Sequence, residues 1–495
     1  MKSVAIVGSG IGGLCTGIRL LAEGYCVTIY EKNETSGGAV SRIQTRDGRF
    51  SWDECASIAI NRSDYEAIFE SVGKNPKDYF EWLPLEKSFK IFYEGGESLA
   101  LPNNKQKLLK KIAVFSPSNQ QGYRKYLEDT DEVYQQAKEI LLQKSFLTVK
   151  DVANKHVVRA LLEVHPLMNA NSYLKKYLSD KRLIRLNLFQ TFFMGVSPYQ
   201  IPSIYAAIAE QCQNCSLAHI KGGLSAYKAG LVKLFRELGG TIHYNHEVLR
   251  IVGGKQKEKY LIIDEAILKK EKRIKVDKIV INVDYPYALS HLLGIKKDYS
   301  YESSCSTYVI HLGLDCCYKE LEVHNLYMSK AFEKEIKILF KGQLPRDPNL
   351  YLYMPSAVDK SFCKNKQESV LNIMVRVPNL KHYTAWNKEK ESILFKKCIQ
   401  NVEKIKGLED LHDHIKVCSV TKPENFMKRY HYTAGCCFGL SHTRAQSIMF
   451  RPQVKYKDYP NIYFTGGSVH PGNGVSIVMM SAKIAAERVK YEDKR

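Results

Sequence analysis

Short apolar runs begin the chain and recur at its end, with helical periodicity between them. Val4–Val7 and Val27–Tyr30 are continuous apolar runs of the kind found in buried parallel strands. Apolar residues between them recur at helical spacing: Leu14, Ile18 and Leu21. Near the C-terminus, Ile462–Phe464 has the strand pattern and Ser476–Lys490 the helical one. This alternation predicts an α/β fold with a parallel sheet built from both ends of the chain.

The middle of the chain has a different pattern. Residues 100–200 carry long helical stretches with few glycines, as in Gly122–Leu142, and predict a helical lobe. Beyond Leu217, strands and helices alternate again, and four further elements are predicted: strands Tyr308–Leu312, Leu350–Met354 and Val370–Val375, and a helix at Glu389–Glu403. Shorter patterns predict a helix at Glu66–Asn75 and a strand pair within Thr241–Val252. We expect the second sheet to form the floor of a substrate cavity.

Three glycines follow the first apolar run at G-x-G-x-x-G spacing: Gly8, Gly10 and Gly13. In dinucleotide-binding folds, the first glycine allows a tight turn and the second lets a pyrophosphate approach the backbone. The third lets the following helix pack against the strand. Glu31 ends the second apolar run, where a carboxylate accepts hydrogen bonds from ribose hydroxyls. A purely structural glycine turn is the alternative, but strand, helix and acidic residue together indicate a dinucleotide site.

Composition bounds these predictions. The chain has 495 residues, 44% of them hydrophobic, and is too long to fold around one hydrophobic core of ordinary size, so two or three domains are expected. The first predicted strand begins at residue 4, so no leader peptide is expected. The sequence has no uninterrupted apolar stretch of about 18 residues, so no membrane-spanning segment is predicted. Thirteen cysteines without a regular framework favour free thiols in a reducing cytoplasm. Cys212 and Cys215 resemble half a zinc site, but no second pair stands at metal spacing, so no metal is expected.

The formal net charge is +21, and lysines cluster at Lys105–Lys111 and between Lys255 and Lys278. No nucleic-acid motif accompanies the lysines, so no nucleic-acid partner is expected. Two interpretations are open: attraction to an anionic membrane surface, with the protein peripheral on the inner face, and a lysine-rich surface that is merely solvated.

Further residues distinguish FAD from a nicotinamide cofactor. Glu31 is followed by Lys32, the pair Gly37-Gly38 and Arg42. In flavoproteins that share the fingerprint, such a glycine pair contacts the ribityl-pyrophosphate and a nearby arginine neutralises phosphate charge. A second glycine-rich turn precedes the last helix, whose N-terminus is expected to face the flavin. The predicted cofactor contacts outside the first fingerprint are Lys32, Gly38, Arg42, Val248 (through its backbone, at the adenine), Gly467, Gly474 and Val475.

Several motifs spread over nearly the whole chain carry a family resemblance: His219-Ile-Lys-Gly-Gly-Leu224, Arg451-Pro-Gln453 and the tail from Tyr463 to Val475. On them the chain resembles the carotenoid (phytoene-type) desaturases of the FAD-dependent amine oxidase-like superfamily, in their dehydrosqualene desaturase branch. The chain departs from that pattern at four places: Ala39 after the glycine pair, Cys55-Ala56 in place of Gly-Pro, Asn473 and Ser476.

The resemblance implies a Rossmann-type flavoprotein with the two-dinucleotide-binding fold and an inserted α+β and helical substrate domain. The FAD domain would comprise residues 1–65, 215–290 and 425–495, and the substrate domain residues 66–214 and 291–424. It implies FAD and a long apolar polyene or polyprenoid, desaturated in carotenoid biosynthesis by hydride transfer to the flavin. His470 is a candidate beside the flavin ring, with a structural role in the turn as the alternative. Neither a catalytic base nor the electron acceptor is assigned.

Three other functions are compatible with this pattern. The first is an amine oxidase of the same superfamily, which would need a polar, amine-accepting pocket. The second is a polyene isomerase or saturase on the same flavin scaffold. The third is a prenyl-lipid carrier without catalysis, which an intact Glu31 and the C-terminal glycine turn disfavour.

Overall fold

The computed structural model describes residues 2–163, 168–213, 217–253, 258–265, 270–295, 301–457 and 459–494. The strands of these residues are β1 (Ser3–Val7), β2 (Cys26–Tyr30), β3 (Arg42–Gln44), β4 (Ser51–Asp53), β5 (Ala59–Ile60), β6 (Trp82–Leu83), β7 (Lys87–Tyr93), β8 (Ser98–Pro102), β9 (Leu217–Ile220), β10 (Thr241–His243), β11 (His246–Val252), β12 (Lys259–Glu265), β13 (Lys270–Val276), β14 (Lys278–Ile281), β15 (Ser306–Leu314), β16 (His324–Met328), β17 (Leu350–Tyr353), β18 (Ser369–Val377), β19 (Ile415–Thr421) and β20 (Ile462–Phe464).

The α-helices are α1 (Ile11–Ala22), α2 (Arg62–Glu70), α3 (Lys105–Phe115), α4 (Gln120–Ala137), α5 (Val149–Val152), α6 (Lys155–Glu163), α7 (Ala170–Leu174), α8 (Lys181–Thr191), α9 (Ile204–Glu210), α10 (Gly223–Glu237), α11 (Tyr285–Tyr287), α12 (Phe332–Phe340), α13 (Lys388–Glu403), α14 (Pro423–Tyr430) and α15 (Val475–Asp493).

A five-stranded parallel sheet joins both ends of the chain, in the order β10-β2-β1-β14-β20. Both faces of β1 are buried. Val4 and Ile6 pack in the core with α1, α10 and α15, whereas Ala5 and Val7 pack against the antiparallel sheet β11-β12-β13. Burial on both faces explains why this strand is a continuous apolar run. All five strands come from the ranges that the sequence analysis gives to the FAD domain, and the α/β prediction is confirmed.

The second large sheet has seven strands in the order β19-β15-β18-β17-β16-β7-β8. Its neighbours are antiparallel except for β16 and β7. The two faces of this sheet pack against different layers of helices, as alternate residues of β15 show. Val309 belongs to the core shared with helices α3 to α9, whereas Ile310 belongs to the core on the opposite face, which α13 covers. The helical lobe and α13 therefore lie on opposite sides of the sheet.

Some element predictions were wrong. The helix predicted at Glu66–Asn75 is α2, which ends five residues earlier because Gly73 turns the chain at φ +72°. The strand pair within Thr241–Val252 does not form. β10 joins the parallel sheet beside β2, and Asn245 at φ +58° then turns the chain so that β11 pairs with β12. The helix predicted at Gly122–Leu142 is α4 followed by a π-helical turn, Lys138–Leu142.

Among the described residues, none of the helices combines the length and the apolar character needed to cross a bilayer. Twelve cysteines within the described ranges are free thiols. Cys215 of the Cys212–Cys215 pair lies outside the described residues, as does part of the Lys255–Lys278 cluster.

Candidate cofactor site and reaction cavity

A cavity of about 330 Å³ opens where the strands of the parallel sheet end. The residues that follow four neighbouring strands reach it: Gly8, Glu31, Asn282 and Thr465. Ligands of open parallel sheets bind at this carboxyl edge. The cavity is also lined by residues within β11, β17 and β18 and by residues that follow β4 and α14. The cavity therefore lies between the parallel sheet and the seven-stranded sheet, as the predicted cavity floor requires.

The first glycine turn has the geometry that the spacing predicts. Gly8 adopts φ +92°, which favours glycine. A Cβ on Gly10 would lie 2.8 Å from Asn282 Nδ2, and one on Gly13 would lie 2.3 Å from the carbonyl oxygen of Gly8. Gly8 and Gly10 line the cavity, whereas Gly13 packs behind the turn against β1. Gly10 caps α1 without a side-chain hydrogen bond, so the first N–H groups of α1 are available to an anion.

Asn282 is a residue that the sequence analysis did not single out. Its Nδ2 donates a 3.2 Å hydrogen bond to the carbonyl oxygen of Gly8. Its side chain also occupies the space that a Cβ on Gly10, Gly12 or Gly466 would enter. Asn282 thereby links the two glycine turns. A possible signal was its position directly after β14, at the carboxyl end of a parallel strand.

Glu31 lies on the cavity with 5% of its side chain exposed. Its Oε2 accepts hydrogen bonds of 2.8 Å from Ser9 N and Ser9 Oγ. Its Oε1 accepts 3.0 Å and 2.8 Å bonds from the N and Nδ2 of Asn33. Each carboxylate oxygen of Glu31 thus accepts two hydrogen bonds. A ribose hydroxyl that binds Glu31 would therefore replace one of the side-chain donors.

Lys32 and Val248 lie at the same end of the cavity as Glu31, and we call it the Glu31 end. Lys32 Nζ donates to the carbonyl oxygen of Lys428 at 2.8 Å and lies 3.1 Å from His431 Nε2. Burial lowers the pKa of Lys32, and the carboxylates of Glu247 and Glu31 oppose this shift. Val248 is buried on β11, where the ladder with β12 shifts register. Gly38, in a turn with positive φ, also lines the cavity.

The second glycine turn lies between β20 and α15. Gly467, Gly474 and Val475 line the cavity, as predicted for cofactor contacts. Gly474 caps α15 at φ +105° without a side-chain bond, so a second helix N-terminus faces the cavity. Arg451 is buried behind the turn, and its guanidinium donates to five carbonyl oxygens: Leu440, Ser441, Gln446, Gly467 and Val469. Burial lowers the pKa of Arg451 to about 10.

The structure does not bring two predicted residues to the cavity. Arg42 is exposed on β3, where it donates to Ser51 Oγ and to the carbonyl oxygen of Ser361 and stacks on Phe362. Its side chain points away from the glycine pair because β3 pairs with β4. His470 is fully buried behind the second turn, and its Nε2 bonds the carbonyl oxygen of Leu141 at 2.8 Å. Burial lowers the pKa of His470 to about 4, so the structural alternative describes this residue.

The opposite end of the cavity is apolar, and we call it the apolar end. Its walls are Ile58, Phe193, Met374 and Phe438. Phe193 comes from the helical lobe, and Met374 comes from β18 of the seven-stranded sheet. Arg376 is the cation at this end, with its guanidinium 4.6 Å from the ring centre of Phe438. The sequence analysis did not identify these residues, because they come from separate elements without a shared motif.

A hydrogen-bonded chain of polar side chains also reaches the apolar end. Tyr351 Oη, on the cavity wall, lies 3.0 Å from Ser57 Oγ and 2.7 Å from His324 Nδ1. His324 is fully buried, and its Nε2 has no hydrogen-bond partner among the described residues. Burial lowers the pKa of His324 to about 3. The imidazole is therefore neutral, and its Nδ1 accepts a hydrogen bond from the Tyr351 hydroxyl.

Fold and cavity together define a Rossmann-type flavoprotein oxidoreductase. A pyrophosphate would fit at the N-terminus of α1, because no side chain caps this helix end and a Cβ on Gly10 would fill the space beside it. The chain matches the family described as flavin containing amine oxidoreductase over residues 11–490. The protein belongs to this family, which confirms the predicted superfamily, fold class and flavin cofactor.

Comparison with individual proteins makes the resemblance more specific than the family match does. The chain is 32% identical to the 4,4'-diapophytoene desaturase (4,4'-diaponeurosporene-forming) of Staphylococcus haemolyticus (strain JCSC1435), over 98% of both chains. It is 29% identical to the enzyme of the same name from Staphylococcus aureus (strain COL), again over 98% of both. Among solved structures, it superimposes on putrescine oxidase bound to putrescine (TM-score 0.66, 10% identity, 99% of both chains) and on the cyclohexylamine oxidase of Brevibacterium oxydans IH-35A (TM-score 0.64, 13% identity, 100% of both).

Proposed function

We propose that FAD lies along the cavity, with its adenine at the Glu31 end and its flavin towards the apolar end. Gly8, Gly10 and the N-terminus of α1 would surround the pyrophosphate, with Gly38 facing them. Glu31 would accept bonds from the ribose hydroxyls, between Lys32 and the adenine contact of Val248. The flavin would lie against Gly467, Gly474 and Val475, where the N-terminus of α15 favours the negative charge of the reduced ring.

We infer that the protein is an FAD-dependent desaturase of a long linear polyprenoid of the diapophytoene type. The observation that carries this inference is the apolar end, whose walls include the four apolar side chains of Ile58, Phe193, Met374 and Phe438, with the guanidinium of Arg376 beside them. Burying each CH₂ of a polyprenoid there contributes about 0.8 kcal/mol, so an uncharged chain needs no polar anchor. The names of the two staphylococcal relatives support the same substrate class.

The amine oxidase alternative fits the apolar end less well. A protonated amine would meet the guanidinium of Arg376, and like charges repel in a partly desolvated site. The acidic residues among the described cavity walls are Glu31, Glu247 and Asp284. The first two lie at the Glu31 end, and Asp284 accepts hydrogen bonds from Ser468 Oγ and Thr433 N. We therefore expect no amine oxidation.

Bound FAD supplies an acceptor for hydride from an allylic carbon. The chain's own residues orient the polyprenoid and exclude water. Tyr351 keeps its proton, because burial raises the pKa of its hydroxyl and burial lowers the pKa of its partner His324 to about 3. Its hydroxyl is therefore a fixed polar group on the cavity wall, and no side chain is assigned to the vicinal proton. Ser57 Oγ, 3.0 Å from Tyr351 Oη, holds that hydroxyl in place.

The test is reconstitution of the FAD-loaded protein with vesicles and a diapophytoene-type polyprenoid. Each new conjugated double bond shifts the product's absorption to longer wavelength, so a stepwise red shift supports desaturation. Unchanged polyprenoid together with oxidation of an amine would overturn the inference. Isomerisation of a preformed polyene without a red shift would favour the isomerase alternative. A protein that binds the polyprenoid but carries no flavin would favour the carrier.

We further propose that the helical lobe contacts an anionic membrane surface. Val149 and Leu162 expose 85% and 67% of their side chains on α5 and α6. Exposed cations accompany them in the same segment: Lys144, Lys150, Lys155 and Arg159. Apolar side chains among basic ones are typical of surfaces that insert shallowly into anionic bilayers, where each basic residue contributes about 1 kcal/mol.

Flotation with vesicles that contain anionic lipid tests this contact. The double variant Val149→Asp/Leu162→Asp should bind less than the wild type, and the wild-type binding should fall as salt rises. Ile393→Asp is the matched control, because Ile393 is half exposed on α13, on the opposite side of the seven-stranded sheet. Equal loss in the control and the double variant would contradict the proposed surface.

A further inference from the structure

Two cysteine thiols meet on the cavity wall. The Sγ atoms of Cys55 and Cys437 lie 3.2 Å apart, although 382 positions separate the residues in the chain. Both residues line the cavity at its apolar end, next to Phe438 and Arg376. The sulfur atoms of a disulfide are about 2.05 Å apart, so an approach of about 1.2 Å would join these thiols.

The surroundings make the two thiols unequal. The hydrogen bond with Cys437 lowers the pKa of the Cys55 thiol, and the positive charge of Arg376 acts in the same direction against desolvation. The same hydrogen bond, together with burial, raises the pKa of Cys437. Cys55 is also the more accessible of the two, since Cys437 is buried. A reactive cysteine is typically partly exposed and has a pKa lowered by its surroundings, and Cys55 has both features.

We propose that Cys55 and Cys437 are a redox-active dithiol on the wall of the reaction cavity, and that a hydroperoxide converts them to a disulfide. The Cys55 thiolate attacks one oxygen of hydrogen peroxide, the O–O bond breaks, and Cys55 becomes a sulfenic acid while hydroxide leaves. That hydroxide takes the proton of the Cys437 thiol and becomes the first water. The Cys437 sulfur then attacks the Cys55 sulfur, the S–O bond breaks, and the second hydroxide leaves and takes up the proton that the Cys55 thiol had released, which gives the second water. In sum, two thiols and one hydrogen peroxide yield one disulfide and two waters.

The bond would tie together two cavity walls that are distant in sequence. One wall is the segment Cys55 to Ile58, which follows β4, and the other is the segment Cys437 to Gly439, beyond α14. A dithiol reductant would reverse the reaction by thiol–disulfide exchange. The proposal concerns the thiols alone and does not depend on which polyprenoid the protein uses.

The test treats the flavin-loaded protein with hydrogen peroxide and then alkylates the remaining thiols for peptide mass spectrometry. In the wild type we expect a peptide pair joined through Cys55 and Cys437, which dithiothreitol separates. The exposed thiols of Cys26 and Cys418 are internal references for the dose of peroxide. Cys437→Ser should leave Cys55 as a sulfenic acid that dimedone traps, and Cys55→Ser should leave Cys437 free of dimedone.

Two results would overturn the proposal. The first is alkylation of both Cys55 and Cys437 at a dose that has oxidised Cys26 and Cys418. The second is a dimedone adduct on Cys437 in Cys55→Ser that equals the adduct on Cys55 in Cys437→Ser, because the two thiols would then be equivalent. Cys437→Ala is the second variant at that position if serine disturbs folding, and flavin absorption reports whether each variant retains its cofactor. Cys317→Ser, at a half-buried thiol of the substrate domain, should cross-link like the wild type.

Discussion

Asn282 and Gly8 are joined by a hydrogen bond across 274 positions of the chain, with Asn282 Nδ2 3.2 Å from the carbonyl oxygen of Gly8. The same amide group fills the space beside Gly10, Gly12 and Gly466. These three glycines leave room for Asn282, which packs against them from the sheet. Gly10 also lines the cavity at the place where we propose the pyrophosphate.

Gly10→Val should weaken flavin binding. Its Cβ would lie 2.8 Å from Asn282 Nδ2, and its methyl groups would enter the space we assign to the pyrophosphate. Overpacking of this kind costs about 1–3 kcal/mol, which lowers the affinity about five- to hundredfold. The measurement is flavin released by heat per protein chain. Gly73→Ala is the control for a glycine replaced away from the cavity, because Gly73 has nothing within 4 Å of its Cβ position and only its φ of +72° opposes a side chain. Equal flavin content in Gly10→Val and wild type would contradict the assignment.

Glu31→Gln should bind FAD less tightly than the wild type but more tightly than Glu31→Ala. The carboxylate accepts two hydrogen bonds at each oxygen, whereas an amide retains one acceptor oxygen and turns its NH₂ towards donors of Ser9 or Asn33. Hydrogen bonds to a charged group contribute about 1.5–3 kcal/mol each. Titration of the apoprotein, followed by FAD fluorescence, measures the loss. Glu34→Gln, at an exposed carboxylate, is the control and should bind like the wild type.

The loss of the Asp53 proton should lower the free energy of unfolding as the pH rises from about 4 to above 6. Burial raises the pKa of this carboxyl from 3.8 to about 6 in the folded protein. The folded state therefore binds the proton of Asp53 more tightly than the unfolded state does. This tighter binding contributes fully to the free energy of unfolding at a pH below the pKa of Asp53 in the unfolded chain, and the contribution is lost as the pH rises through its pKa in the folded protein. A shift of about two pKa units corresponds to about 2–3 kcal/mol.

Asp53→Asn tests this dependence, because an amide is neutral at every pH and still accepts the hydrogen bond from Tyr353 Oη. The melting temperature should fall less between pH 5 and pH 8 in Asp53→Asn than in the wild type. Glu70→Gln removes an exposed carboxyl and should follow the wild type. An identical fall in Asp53→Asn would show that Asp53 does not titrate in this range.

Arg451→Met should destabilise the second glycine turn. The guanidinium donates to five carbonyl oxygens on two segments, and methionine would leave all five without these donors in a buried place. The expected cost is about 3 kcal/mol or more. Thermal melting and flavin absorption measure it, with Arg46→Met at an exposed arginine as the control. Arg451→Lys should recover part of the loss, because an ammonium retains three donors. A melting temperature equal to that of Arg46→Met would show that the carbonyl network is dispensable.

The sequence by itself determined the α/β class, both glycine turns and the position of Glu31. These features are local. A tight turn that needs glycine at positive φ, and a buried strand that needs a continuous apolar run, each involve only a few adjacent residues. They can therefore be recognised from a short stretch of sequence. The position of a side chain relative to distant segments is not local. For that reason Arg42, five residues beyond Gly37, was predicted at the cavity, and pairing between β3 and β4 takes it elsewhere.

Only the tertiary structure decided the walls of the apolar end. Phe193, Met374, Arg376 and Phe438 come from a helix turn, a strand and a loop that no motif connects. Cys55 and Cys437 met for the same reason, since each is an ordinary cysteine until the fold brings their sulfur atoms to 3.2 Å. The physical reason is that long-range packing depends on the whole set of buried contacts, whereas backbone conformation depends mainly on neighbouring residues.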